Sequence, residues 1–467
     1  GFRDCGLTLT GASDEAAKLL DLSIAQAVSL HDIGDEHSGL GANIGRLIKE
    51  FPDFALGRGF VHALELSAQD KDGRNCSTLR DAVDSLYKQS IATDSVLTER
   101  EKLHIRAVKE KCDGQWESSV ETYQTILRSS PNDMMAIMFA NNIAFGLGHS
   151  ELMRDNILRV LPAWQRTAPL YSYLHSFVGF GYEECGLYPK ADASSRLALS
   201  LNPCDVWATH TLAHCSEMQG LHTEGLTFLE QTFDNWEKCG IFACHVLWHW
   251  GLFNIEMGNY DAALELYDNS ISRRANDTKA MLNLCDCVSL LKRIELQGGN
   301  VGGRWEDVYE LCRPHSEDHF WTFNDTHMLI AYLSSPKGAS LARSHMRSLM
   351  EYIGDRQESG PDRTNQRLSR LYGLPLSKAI VAYQEERYAD VVSHIYPIRY
   401  NIKSVGGSHA QRDIYELLMI HSATISDNPD HRNLARVLLN ERKAAKANSS
   451  VNARIALKLL ECHDKKA

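Results

Sequence analysis

Apolar residues recur along this chain at intervals of three and four, which is the spacing of amphipathic helices. In the N-terminal part the pattern predicts helices at 13–30, at 40–67 in two pieces on either side of Pro52, at 76–87 and at 98–112. No stretch shows the alternation of apolar and polar residues, bounded by turn residues, that marks a β-strand. The sequence therefore predicts an all-α protein.

Glycines recur at a regular spacing through the middle of the chain, alternately 34 and 38 residues apart: Gly114, Gly148, Gly186, Gly220 and Gly258. The first, third and fifth are each followed two residues later by an aromatic residue, and Pro131 and Pro203 lie 17 residues after the first and third. Glycine permits a tight turn between two helices, the aromatic residue packs the hairpin, and proline ends the second helix. The pattern is typical of tetratricopeptide-like hairpins. We expect an all-α tetratricopeptide-like α-solenoid of helical hairpin repeats, curled into a superhelix.

Three regions follow from this periodicity. We expect an N-terminal helical region at 1–100, tetratricopeptide-like repeats with a histidine-rich groove at 101–297, and C-terminal helical repeats that close the superhelix at 298–467. Two glycine pairs at 298–299 and 302–303 indicate the loop between the last two regions.

Composition narrows the function classes. The 467 residues are 43% hydrophobic and 23% charged, as in globular proteins, and the net charge is −11. Phosphate binding needs clustered Lys and Arg, so we expect no nucleic-acid partner. No apolar run is long enough to span a bilayer, so we expect no membrane partner. Scattered cysteines in a chain of this size indicate reduced thiols and a cytoplasmic protein.

Histidines cluster on two predicted helices. His210, His214 and Glu217 lie at i, i+4 and i+7 on one face, and His245 and His249 lie at i and i+4 further along the chain. Counting back from the turn glycines at 220 and 258 places both segments on the first helices of neighbouring hairpins. First helices line the concave surface of a repeat array, so the repeat pattern predicts that these side chains converge.

Such a group suits a transition metal. Neutral imidazole binds Zn or Fe, and the two predicted helices would supply four histidine ligands. Glu217, and Asp286 on the following first helix, are expected as further ligands or as the base for proton transfer. Asp325 and His327 could reach the same centre if the C-terminal helices close over it. The alternative for any of these histidines is a polar residue that lines a groove. His315 and His319, in H-S-E-D-H, are interpreted as a solvated loop.

Several motifs resemble the tetratricopeptide repeat protein 38 family. They are R-D-C at 3–5, L-T-x-R-E-x-L-H at 97–104, H-T-x-A-H-x-x-E at 210–217, A-C-H-x-x-W-H-W at 243–250, F-N-D-x-H at 323–327, P-I-R-Y at 397–400 and G-G-S-x-A-Q-R-D at 406–413. The resemblance implies an all-helical repeat fold without a firmly established activity. It also draws attention to Arg412 and Asp413, either as a salt-bridged support or with the arginine binding a substrate carboxylate. His409 stands where the family pattern has Asn.

Together these observations lead to one main hypothesis and two rivals. The main hypothesis is a metal-dependent enzyme that acts on a small organic molecule in a concave pocket, through metal-activated water or dioxygen. Four histidines would hold the ion, while Glu217, Asp286 and Arg412 would act in catalysis. The first rival is a protein-interaction scaffold that binds a peptide in the tetratricopeptide groove without catalysis, as a monomer or a homo-oligomer. The second is a metal site that only stabilises the fold.

Overall fold

The structure is a computed structural model that describes residues 6–31, 39–354 and 363–464. Every regular element within these ranges is helical, so the prediction of an all-α fold is confirmed. The motif at 3–5 lies outside the described residues. None of the described helices is long and apolar enough to cross a lipid bilayer.

The helices follow one another with short connections. The first ten are α1 (Asp14–Ser29), α2 (Leu40–Glu50), α3 (Ala55–Glu65), α4 (Ser77–Ser90), α5 (Glu99–Cys112), α6 (Trp116–Ser129), α7 (Met134–Gly146), α8 (Ser150–Val160), α9 (Tyr171–Glu184) and α10 (Tyr188–Leu201). Next come α11 (Val206–Gln219), α12 (His222–Gln231), α13 (Phe233–Trp236), α14 (Gly240–Met257), α15 (Tyr260–Leu266), α16 (Ser272–Thr278), α17 (Met281–Leu296) and α18 (Arg304–Cys312). The last are α19 (Thr322–Ser334), α20 (Ala339–Gly354), α21 (Thr364–Leu368), α22 (Leu374–Gln384), α23 (Tyr388–Ile395), α24 (His409–Ile425), α25 (Pro429–Ala445) and α26 (Ser450–Asp464).

The five regularly spaced glycines all lie where the sequence places them, in turns between paired helices. They separate α5 from α6, α7 from α8, α9 from α10, α11 from α12, and α14 from α15. Their φ angles run from 68° to 81°, a left-handed conformation that side chains with a Cβ rarely adopt. The tetratricopeptide-like α-solenoid class is therefore confirmed by the position and conformation of the turns.

A sixth turn of this kind has no glycine. Glu386, with a φ of 58°, connects α22 to α23. Tyr388 follows it by two residues and begins α23, as the aromatic residues do in the glycine-containing turns. This turn thus has the left-handed backbone of the other hairpin turns with glutamate in place of glycine.

The chain divides into two compact units. Unit 1 comprises residues 1–211 and 234–243, and unit 2 comprises residues 212–233 and 244–467. Within unit 1, the helices from α5 to α10 each pack against the next in the chain. Apolar contacts such as those among Ala144, Met153 and Phe180 fill the space between them. The division into three regions that the periodicity suggests stays a prediction.

Unit 2 is built around α17, which packs against α19 and α24. Leu284, Val288 and Leu291 of α17 are fully buried, as expected for a helix that is covered on several sides. Beyond α24, the last two helices pack in order, α25 on α24 and α26 on α25. This arrangement brings the C-terminal part of the chain close to the parts of α11 and α14 that belong to the same unit, through contacts described below.

Candidate metal centre

Two first helices carry the candidate site, as the repeat pattern predicts. His214 and Glu217 lie on α11, and His245 and His249 lie on α14. The N-terminus of α11 is fixed in unit 1 by Asp205, whose carboxylate accepts hydrogen bonds from the backbone N–H of Ala208 and the hydroxyl of Ser176. A carboxylate at this position satisfies N–H groups that the first helical turn leaves without partners.

Three imidazoles of unit 2 converge. His214, His245 and His249 each place a ring nitrogen so that the three atoms lie within 4.8 Å of one another. The ring centroids of His214 and His249 are 4.3 Å apart, and those of His245 and His249 are 5.0 Å apart. All three side chains are buried. Burial of three imidazoles in one place is costly unless their nitrogens bind something that compensates for lost water.

Two of these rings are oriented by buried carboxylates. Nδ1 of His245 lies 2.7 Å from Oδ2 of Asp286, and Nδ1 of His249 lies 3.3 Å from Oε2 of Glu217. A carboxylate accepts the proton that Nδ1 donates, which leaves Nε2 as the basic atom of each ring. Histidines that ligate metals are usually held in this way through their second nitrogen. In this arrangement Asp286 and Glu217 support the ligands through hydrogen bonds.

A buried positive charge near the centre comes from Lys446, which directly follows α25. Nζ of Lys446 lies 3.0 Å from Oε1 of Glu217 and 3.0 Å from Oε1 of Glu256. Burial by itself would raise the pKa of Glu217, but Lys446, His214 and Arg293 outweigh it and the pKa is lowered. Because its pKa is low, Glu217 is ionised and a weak base. Neither Lys446 nor Glu256 stands out in the sequence, since a lysine in a Lys-rich tail and a glutamate on a helix have no spacing signal.

Electrostatics also favour a neutral imidazole at the middle of the group. Burial, together with the neighbouring His214 and His245, lowers the pKa of His249 well below its ordinary value. Only a neutral imidazole offers a lone pair to an ion. His249 therefore has a lone pair available to an ion near neutral pH.

The other residues singled out in the sequence have further contacts of their own. His210 belongs to unit 1, where its ring packs against Phe180 and Phe242 at centroid distances of 5.1 Å and 4.9 Å. His327 donates a hydrogen bond from Nδ1 to the carbonyl oxygen of Phe323, and burial lowers its pKa to about 4. Asp325 lies 3.1 Å from His319. Whether any of them binds a metal stays a prediction.

Arg412 and Asp413 have different partners from each other. Arg412 donates a hydrogen bond to the carbonyl oxygen of Gly407, within its own helix-capping loop. Asp413 forms a two-pronged ion pair with Arg442 of α25, with N···O distances of 3.0 Å and 2.8 Å. The arginine that supports Asp413 is therefore 29 residues away in the chain, and sequence reasoning missed it.

The interpretation of His319 as part of a solvated loop is wrong, because its side chain is buried at 1% exposure. His315, four residues earlier, is half-buried and lies 2.7 Å from Asp318. The two histidines of this short motif thus have different environments, which no local pattern distinguishes.

Comparison with known proteins gives only a general likeness. No protein-family model matches the chain. A structure of the human IFIT1 dimer with m7Gppp-AAAA is 12% identical, with a TM-score of 0.41, and the match covers 98% of this chain and 97% of that one. A structure of a monomeric IFIT1 mutant with Gppp-AAAA is 15% identical, with a TM-score of 0.37 and coverage of 98% and 96%.

These structures correct one expectation. The net charge led us to expect no nucleic-acid partner, but both similar structures contain an oligonucleotide, so that expectation is contradicted and is not kept. At this level of identity and TM-score, neither match indicates what the present chain binds. The chain is a tetratricopeptide-like helical-repeat protein in the general sense.

Proposed function

We propose that this chain is a helical-repeat scaffold that holds a transition-metal ion, Zn or Fe, at a buried centre formed by His214, His245 and His249. The observation that carries the proposal is the convergence of three buried imidazoles, two of them oriented through Nδ1 by carboxylates. Nε2 of His245 and His249 would then face the ion. Membership of the tetratricopeptide repeat protein 38 family is proposed on the motifs alone.

Charge balance supports an ion at this position. The negative charge of Glu217 is offset by Lys446, which lies 3.0 Å away. Asp286 is buried beside His245, and its Oδ1 has no hydrogen-bond partner among the described residues. A buried carboxylate oxygen that accepts no hydrogen bond is costly. A divalent cation bound to the imidazoles would offset this charge through His245.

Burial favours a role in stability over turnover. The three imidazoles are at most 3% exposed. A small-molecule substrate needs a cleft that exposes the reacting group. We therefore propose that the ion stabilises a repeat stack whose surface binds a peptide, which is a frequent role of such arrays.

The second candidate is the metal-dependent enzyme. Unit 2 supplies three histidines, which is the number of protein ligands in many catalytic zinc sites, where water or substrate occupies the fourth position. Metal-activated water or dioxygen would then act on a small organic molecule that enters through a local opening. The burial of the site and the ion pair on Glu217 favour the scaffold over this candidate.

Metal content of the purified full chain tests the centre. We expect about one ion per chain at this centre in the wild type, prepared without chelators, and loss of that ion in His214→Asn and His249→Gln. His149→Ala is the control, since His149 is exposed on another hairpin. Circular dichroism shows whether each variant keeps its helices. A wild-type protein that takes up neither Zn nor Fe, or variants that retain the ion, would overturn the proposal.

Cobalt distinguishes the two candidates. In Co(II)-substituted protein, an open coordination position binds azide and changes the visible absorption spectrum, whereas a closed site does not respond. A closed site that raises the unfolding temperature on metal binding supports the scaffold. A response to azide supports the enzyme.

A further inference from the structure

A second group of buried ligand-type side chains lies in unit 2, at the start of α19 and on α20. His319 precedes α19, Asp325 lies in its first turn, and His345 lies on α20. One ligand atom from each lies within 4.8 Å of the other two. All three side chains are buried. From this geometry we infer a second metal site that takes a divalent transition-metal ion, independent of the proposed centre on α11 and α14.

His345 is held in the tautomer that a metal ligand needs. Its Nδ1 lies 2.7 Å from the carbonyl oxygen of Ser316, so Nδ1 carries the proton and donates it. Nε2 is then the basic atom. This atom is buried and accepts no hydrogen bond from a described residue. A ring held at Nδ1 by a backbone carbonyl, with Nε2 directed into the protein, is a common arrangement of ligating histidines.

Asp325 has one oxygen in use and one without a partner. Oδ1 lies 3.1 Å from Nδ1 of His319, while the buried Oδ2 makes no hydrogen bond to a described residue. Leaving a buried carboxylate oxygen without a partner is unfavourable. An ion bound at Oδ2 and at Nε2 of His345 would satisfy both atoms at once.

The third member, His319, is held rigidly. Its backbone is left-handed, with a φ of 44°, and the side-chain amide of Asn365 donates a hydrogen bond to its carbonyl oxygen at 2.8 Å. Nε2 lies 2.8 Å from the hydroxyl of Ser348, and the ring stacks on Tyr352 at 5.4 Å. A non-glycine residue keeps a left-handed backbone only where its surroundings fix it. The structure therefore holds this ring beside Asp325.

Both ring nitrogens of His319 have partners, Asp325 and Ser348, so His319 would exchange one of these hydrogen bonds for the ion. The ligand set would then comprise two imidazoles and one carboxylate. This combination binds Fe(II) in mononuclear sites with open positions, and it also suits Zn. One carboxylate with two neutral imidazoles leaves a bound divalent ion with a net charge of about +1, which an exchangeable water or hydroxide can share. The alternative is a structural role, in which a buried hydrogen bond joins His319 and Asp325 without an ion. It predicts that no metal binds here.

Cobalt binding to a chain that lacks the first centre tests this site. In the full chain carrying His249→Gln, we expect about one equivalent of Co(II) to bind with a visible absorption spectrum. Adding Asp325→Asn or His345→Gln should weaken that binding by about 10-fold or more. His315→Gln is the matched control, since His315 lies near in sequence but outside the group.

Each outcome decides the inference. A chain carrying His249→Gln that binds no cobalt overturns it, as does equal cobalt affinity with and without Asp325→Asn and His345→Gln. If Asp325→Asn does not fold, the His345→Gln variant carries the comparison. A different result contradicts the proposed centre of His214, His245 and His249: the wild type and the chain carrying His249→Gln then bind the same number of ions.

Discussion

His245 and Asp286 are 41 residues apart in the chain, yet Nδ1 of the histidine lies 2.7 Å from Oδ2 of the aspartate. The two residues lie on α14 and α17, the first helices of successive helical pairs. Both are buried, so the hydrogen bond forms in a medium of low dielectric constant, where it is stronger than in water. The contact fixes the orientation of one ring in the proposed metal centre.

Removing this support should weaken metal binding without removing a ligand. We expect Asp286→Asn and Glu217→Gln each to lower metal affinity by about 10–100-fold, because the amides hold the rings less well and lack the negative charge. Competition with a chromophoric chelator measures the dissociation constant. Glu224→Gln, at an exposed position on α12, should leave it unchanged. Equal affinity in all three variants would mean that the carboxylates do not support the ligands.

Two turn glycines with similar φ angles should tolerate alanine differently. Gly186 has open space around an added Cβ, so Gly186→Ala should cost only the left-handed strain, about 1–2 kcal/mol. At Gly220 an added Cβ would lie 2.3 Å from the Cβ of Asn448. Asn448 must then move and loses its hydrogen bond to Gln219, so we expect roughly 1–3 kcal/mol more. Urea unfolding of both variants gives the comparison, and equal losses would contradict the contact between the Gly220 turn and Asn448.

The buried ion pair between Asp413 and Arg442 should be sensitive to loss of one partner. Arg442 is 2% exposed, so Asp413→Asn leaves a buried guanidinium without its carboxylate. We expect a destabilisation of about 3–5 kcal/mol. The exposed pair of Arg387 and Asp390 is the control, and Asp390→Asn there should cost at most about 1 kcal/mol. Thermal unfolding measures both, and a small loss at Asp413 would show that Arg442 finds compensation elsewhere.

Acid should destabilise unit 2 through His421. Burial, with contributions from Lys458 and Lys292, lowers the pKa of this imidazole to about 4, and the hydroxyl of Tyr383 lies 3.2 Å from Nδ1. Since the folded pKa lies below the unfolded value, the contribution is fully present above about pH 6.5. It declines as the pH falls towards 4, by up to about 1.4 kcal/mol per pH unit for one proton.

Replacing His421 should make the free energy of unfolding depend less on pH below neutrality. We expect His421→Gln to lose less stability between pH 7 and pH 5 than the wild type, measured by urea midpoints at each pH. His149→Gln, at an exposed position, should keep the wild-type dependence. If His421→Gln and the wild type lose the same stability, another group titrates in this range.

The sequence by itself determined the hairpins and the helix faces. The turn glycines, the aromatic residues after them and the apolar spacing all act within one or two turns of helix. Because their effect is local, it can be predicted from the sequence. For the same reason the placement of His214 and His249 on neighbouring first helices followed from counting back from Gly220 and Gly258.

Only the tertiary structure decided which charges meet. Lys446 reaches Glu217 across 229 residues, Arg442 takes Asp413, and His345 joins His319 and Asp325 in a group that no local spacing marks. Each of these contacts depends on how distant helices pack in unit 2. Long-range packing is set by the burial of apolar surface over the whole unit, whereas a sequence pattern reports only the face of one helix.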